Sequence, residues 1–210
     1  MPYYPDKNIL FIHIPKTGGT VIENEIKKYT NQRLRNKHGG NDILDPPFNK
    51  ISLQHQYYST LYKYREKLNI NFDNVKVFCC IRNPYDRVIS DLFWFGLIKK
   101  DASHETIKQT LLNNYLYRDD LKIDGHNCPQ YKYISDENGK IIPNILIFKC
   151  EELNKSNKEL CEFLDLDVNL VRDNVNKDYS KYLNNEIIEI INEFYKKDFE
   201  MFNFPRMGVN

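Results

Sequence analysis

The sequence predicts an α/β fold: a single domain over residues 1–210 with a central, mostly parallel sheet flanked by helices. Three observations carry that expectation. Residues 8–14, 75–81 and 145–149 are short apolar runs rich in β-branched and aromatic side chains. They lack the alternation of a strand with one wet face, as expected where helices cover both sides of a sheet. Each run leads into a segment whose apolar residues recur at helical spacing, which is the pattern of strand–helix units. A chain of 210 residues is also long enough to bury one substantial core.

Taken in order, residues 8–14 form the first strand, which Pro15 ends. After Pro15-Lys16-Thr17-Gly18-Gly19-Thr20, apolar positions 21, 22, 26 and 29 predict a helix over 19–29. Residues 30–50 are polar, carry Gly39-Gly40 and Pro46-Pro47, and show no period. A connection longer than about 15 residues is usually functional, so this stretch is a candidate lid or substrate loop. Residues 51–56 are expected as a short strand and 57–68 as a helix. The run at 75–81 is a buried strand. Asn83-Pro84 then starts a helix, Asn being a good cap and Pro favoured at the first helical position. Apolar residues at 85, 88, 89, 92, 93 and 95 carry that helix to Gly96. A helix over 103–117, a loop over 119–144, a strand over 145–149 and helices over 151–163 and 184–199 complete the expectation.

Composition narrows the function. Thirty Lys and Arg face 29 Asp and Glu, a formal net charge of +1. No global positive field argues for nucleic acid or an anionic membrane, so any bound anion must be gripped locally. No run of 18 apolar residues exists, and the first residues lack the pattern of a signal peptide. The expected setting is cytoplasmic or otherwise soluble, with no membrane span and no nucleic-acid partner. Oligomeric state is left open. The five cysteines (79, 80, 128, 150 and 161) have no C-x-x-C spacing and are expected as unpaired thiols. No metal is expected, because the sequence has neither H-E-x-x-H nor a cysteine cluster.

Two constellations carry chemistry. The first is Pro15, Lys16, Thr17, Gly18, Gly19 and Thr20, between a strand and a helix. Glycines let backbone amides approach a ligand, and the helix N-terminus favours negative charge. Lys16 adds a cation, and Thr17 and Thr20 add hydroxyls. The lysine precedes the glycines, so this is not a nucleoside-triphosphate loop of the usual kind. The second is Arg82, at the end of the 75–81 strand, with Ser90 two turns into the next helix and Arg87 nearby. Ligands of open α/β sheets collect beyond the C-terminal strand ends, which would place Arg82 beside the glycine turn. Two anion grips at neighbouring strand ends imply a ligand with two separated anionic groups.

These residues, FIHIPKTGGT at 11–20 and CIRNPYDRVISDLFWFG at 80–96, resemble the sulfotransferases that use 3′-phosphoadenylyl sulfate (PAPS). The resemblance is closest to the carbohydrate branch, and within it to heparan sulfate 2-O-sulfotransferase-like enzymes. It implies a fold related to P-loop nucleotide kinases, with Pro15 to Thr20 on the 5′-phosphosulfate and Arg82 and Ser90 on the 3′-phosphate. It further implies in-line transfer of a sulfuryl group to an acceptor hydroxyl, most of all of a carbohydrate, with release of adenosine 3′,5′-bisphosphate. His55, in LQHQYY, stands where that branch carries its catalytic histidine and is the expected general base, with Lys16 stabilising charge. Leu53 stands where the branch has a second histidine.

Other residues are weighed beside these. His126 is the rival base or a substrate contact, with Gln130 and Tyr57 as further candidates on the acceptor side and Arg87 as a secondary anion contact. His13 is expected in the core, Glu23 and Glu25 on a solvated helix face, and Trp94 in helix packing. Two alternatives stay open: a kinase-like phosphotransferase, and a non-catalytic module that binds a nucleotide or sulfated glycan.

Overall fold

The computed structural model describes residues 2–31, 40–170 and 178–208. The strands are β1 (Tyr3–Tyr4) and β2 (Ile9–Ile12), followed by helix α1 (Gly19–Ile26), then α2 (Tyr58–Lys63) and α3 (Arg65–Leu68). Strand β3 (Lys76–Ile81) leads into α4 (Pro84–Trp94), α5 (His104–Thr110) and α6 (Gln130–Tyr133). Strand β4 (Ile145–Lys149) precedes α7 (Asn157–Leu164), α8 (Asn185–Phe194) and α9 (Lys196–Phe202). The sheet order is β1-β2-β3-β4. β2, β3 and β4 run parallel, with Phe11 opposite Phe78 and Cys79 opposite Ile147, and the short β1 pairs antiparallel to β2.

The near-continuous apolar strands are explained by two cores, one on each face. Alternate residues of the strands point to opposite sides. Ile9, Phe11, Phe78, Cys80 and Phe148 pack with Ile22 and Ile26 of α1 and Leu160 and Leu164 of α7. Leu10, Ile12, Val77, Cys79 and Ile81 pack with Val88, Ile89 and Leu92 of α4 and with Ile187 and Ile191 of α8. This is the predicted α/β architecture with helices on both sides.

Several elements depart from expectation. Residues 51–56 do not join the sheet: Leu53–His55 is a single tight turn. The backbone amide and hydroxyl of Ser52 go to Asp124 instead of a neighbouring strand, at 2.6 and 2.8 Å. The helix expected over 57–68 breaks at Tyr64, and that over 184–199 breaks at Tyr195 and resumes to Phe202. The helix expected to 117 ends at Thr110 and continues as one π turn, Leu111–Tyr115. The 119–144 segment contains α6, and the 151–163 helix starts only at Asn157. β1 was not foreseen. Of the 30–50 loop, residues 32–39, including His38 and Gly39, lie outside the described residues; Phe48–Lys50 forms a tight turn. The five cysteines are unpaired thiols. Among the described residues no helix is long and apolar enough to cross a membrane.

Candidate active site

β2 and β3 end side by side, and the chain leaving each one builds a cleft of about 620 Å³ at that edge of the sheet. Beyond β2, Lys16 takes φ +65° and Gly18 +89°, so the backbone doubles back sharply before α1. Gly18 caps α1 in the left-handed region, where only glycine sits without strain. Gly19 is required for a different reason: a Cβ there would stand 2.1 Å from Nε2 of His13. Pro15, Lys16, Gly18, Gly19 and Thr20 line the cleft, facing Arg82, Ser90 and Trp94.

Thr17 is the exception within the turn. Its side chain is fully buried, and its hydroxyl donates to the Ile14 carbonyl at 2.8 Å, so it shapes the turn and offers no hydroxyl to the cleft. On α4, Ser90 and Trp94 lie one turn apart on the cleft side, whereas Arg87 and Asp91 share the buried side. Arg82 reaches the Lys16 carbonyl through Nη1 at 3.3 Å. Gln130 holds the backbone of Arg82 through both ends of its amide, each at 2.8 Å, and is itself fully buried. Gln130 is therefore a strut for Arg82 and does not face the cleft.

Arg87 corrects the expectation of a secondary anion contact. It is 1% exposed, and its guanidinium donates to the carbonyls of Pro15, Cys128 and His126 at 3.0, 3.0 and 2.7 Å. It ties the glycine turn to the 126–128 loop. Tyr57 is likewise turned away: its hydroxyl donates to Asp120 at 3.0 Å, and its ring packs on Tyr133.

Three histidines stand in a row along the cleft, with the His13 ring against the turn at Gly19. His55 meets His13 edge-on at 5.1 Å between ring centroids, and meets His126 at 5.2 Å. Each ring is held through Nδ1 by a carboxylate: His13 by Glu23 at 2.5 Å, His55 by Asp124 at 2.7 Å and His126 by Asp91 at 2.8 Å. The Tyr115 hydroxyl holds Asp91 in turn, at 2.6 Å. An imidazole anchored at Nδ1 presents Nε2, and all three rings line the cleft.

Burial drives the His55 imidazolium pKa down to about 3, against the opposing pull of Asp124. Burial would raise the Asp124 carboxyl, but hydrogen bonds from His55 and Ser52 outweigh it and hold the group at about 2. At neutral pH His55 is thus a neutral base, its Nδ1–H donated to an ionised Asp124. Ligand atoms of His55, Asp124 and His126 also all lie within 4.8 Å of one another, as a metal site would require.

The sequence reading missed four participants, one of them Asp91, which holds His126. Glu23, expected on a solvated face, is 1% exposed and bound to His13, which lines the cleft rather than filling the core. Asp124 had no signal beyond its loop position. Trp94, expected in packing, is 57% exposed, with Nζ of Lys16 4.4 Å above its ring.

No curated protein matches this sequence. Among solved structures, the chain is similar to a sulfotransferase from Alicyclobacillus acidocaldarius, with 15% identity, 92% of each chain covered and a TM-score of 0.49. The profile of the sulfotransferase family matches residues 3–205, nearly the whole chain. This chain belongs to the sulfotransferase family.

Proposed function

We propose that the protein transfers a sulfuryl group from PAPS to a hydroxyl of an acceptor, a carbohydrate above all. The observation that carries this is the meeting of both anion-binding constellations and a neutral, carboxylate-anchored histidine in one cleft. The donor set fits a ligand with two anionic ends. At one end are Lys16 and the start of α1; at the other are Arg82 and Ser90. A volume of about 620 Å³ is in the range of nucleotide-sized ligands.

When bound, PAPS would supply the electrophilic sulfuryl group and a bisphosphate leaving group. The chain supplies position, charge and a proton acceptor. Lys16 and the amides at Gly18 and Gly19 concentrate positive potential at the turn. Arg82, kept in place by Gln130, does so at the β3 end. His55 accepts the acceptor's hydroxyl proton at Nε2, and Asp124 fixes the tautomer that leaves Nε2 free. His126 lies next along the row, on the acceptor side.

Calorimetric titration with adenosine 3′,5′-bisphosphate, and separately with ATP and magnesium, tests the donor. The bisphosphate is expected to bind more tightly; preference for magnesium ATP would replace this reading with phosphotransfer. Labelled-sulfate transfer to a glycan panel tests the reaction. His55→Ala is expected to keep bisphosphate affinity and lose about 10²–10⁴-fold in turnover, the range for a general base. Activity that disappears with a chelator and returns with zinc would reassign His55, Asp124 and His126 as metal ligands.

A further inference from the structure

The stretch from His126 to Tyr131 is pinned to the two C-terminal helices at two points. The chain breaks at Tyr195 between α8 and α9, and the Tyr195 hydroxyl donates to the Asn127 carbonyl at 2.8 Å. One turn further, Asp198 accepts the backbone amides of Gln130 and Tyr131, one on each carboxylate oxygen, at 2.8 and 2.9 Å. Those amides open the short helix α6, whose cap position is Pro129 and offers no side-chain acceptor. A carboxylate 68 residues away supplies the cap instead. Both Asp198 and Gln130 are completely buried.

What this arrangement holds in place is the Gln130 side chain. The ladder between β3 and β4 ends at Ile81, opposite Lys149, so the backbone of Arg82 needs another partner. Gln130 provides it: Oε1 accepts from the Arg82 amide and Nε2 donates to the Arg82 carbonyl, each at 2.8 Å. The side-chain amide stands where a peptide group of a neighbouring strand would. Among the described residues the Arg82 guanidinium is held more loosely, by a 3.3 Å bond to the Lys16 carbonyl and the Tyr179 ring at 5.7 Å. Its direction into the cleft is therefore set from the backbone, and Gln130 and Asp198 set the backbone.

We infer that Asp198 is a positioning residue for the donor: acting through Gln130, it aims Arg82 at the donor's second anionic group. The inference rests on the sulfuryl-transfer reading, in which that group is the 3′-phosphate. Asp198 itself does not line the cleft. Substituting it should therefore cost recognition of one phosphate and spare the rest of the nucleotide.

Calorimetry compares adenosine 3′,5′-bisphosphate with adenosine 5′-phosphate, which lacks the group that Arg82 would hold. Asp198→Asn should weaken the bisphosphate about fivefold and the 5′-phosphate by less than about twofold. Gln130→Met is close in volume and cannot clamp a peptide group. It should do the same, and it decides the point if Asp198→Asn does not fold. Placed in Arg82→Ala, either substitution should add less than about twofold, because the group it positions is gone. With PAPS as donor, the loss should appear mainly as a higher KM rather than a lower kcat. Equal losses for both nucleotides, unchanged bisphosphate affinity, or full additivity with Arg82→Ala would overturn the inference. If Arg82→Ala alone leaves bisphosphate affinity unchanged, the donor reading falls as well. A loss in Arg82→Ala with none in the other two variants sinks only the role of Asp198.

Discussion

Part of the cleft is lined by one short stretch, Pro15 to Val21 without Thr17, whereas the histidine row draws on residues as far apart as His13, His55 and His126. The glycine turn works through its backbone: amides at a helix start and φ values that Gly18 tolerates. The histidine wall works through side chains, each oriented by a carboxylate from elsewhere in the chain. Asp124 lies 69 residues from its histidine, Asp91 lies 35 from His126 and Glu23 lies ten from His13. The difference teaches where function tolerates sequence change. A contiguous turn is preserved by local conformation, but a dispersed row depends on the packing that brings its pairs together.

The largest expected effect comes from breaking a pair on the dispersed wall without emptying the turn. Asp124→Asn removes the ionised acceptor that fixes the His55 tautomer. Turnover should fall by about 10²-fold or more, as when a base loses its orienting carboxylate. Calorimetric affinity for adenosine 3′,5′-bisphosphate should stay within a factor of two or so. An equal loss of bisphosphate affinity would mean that the two walls are one unit.

Two arginines sharpen the comparison further. Arg87→Leu leaves the carbonyls of Pro15, Cys128 and His126 without their donor, at about 1–3 kcal/mol for each buried group left unsatisfied. It should lower denaturant stability by about 3 kcal/mol or more. Arg82→Ala faces the cleft and should weaken bisphosphate binding about tenfold or more, as expected for a charged hydrogen bond, with a much smaller effect on stability. Exchanged phenotypes would reverse the assignment of which arginine serves the ligand and which the fold.

The smallest effect is a pH dependence confined to the histidine wall. His55 stays neutral in the folded protein down to about pH 3, while in the unfolded chain it takes up a proton near its ordinary 6.5. Its contribution to stability is therefore complete above pH 6.5 and is lost as pH falls from there towards 3. Asp124, held at about 2 against an ordinary 3.8, adds a loss of the same sign below pH 3.8. Urea unfolding from pH 8 to 4 should show stability falling below about 6.5, with a shallower fall in His55→Asn. Equal slopes in the two proteins would place the proton uptake elsewhere.

Legibility followed the same divide. The parallel strands, the turn from Pro15 to Thr20 and the Asn83-Pro84 helix start all depend on residues close in sequence, and local spacing was enough to predict them. Breaks at Tyr64 and Tyr195 were invisible, because the apolar spacing runs through both positions. Trp94 read as packing since its neighbours at 88, 89 and 92 are core residues on the same helix. Only the direction of the helix surface separates it from them.

By itself the sequence determined that the chain is α/β, that a glycine turn follows the first parallel strand, and that Arg82 and His55 are chemical candidates. Tertiary structure decided which arginine points into the cleft, that Thr17 and Gln130 support rather than line it, and which carboxylate holds each histidine. The physical reason is range. Backbone conformation and periodicity are set by neighbours a few residues away. The burial that makes His55 a neutral base, and the partner that orients it, exist only once residues 52–55 and 124–126 pack together.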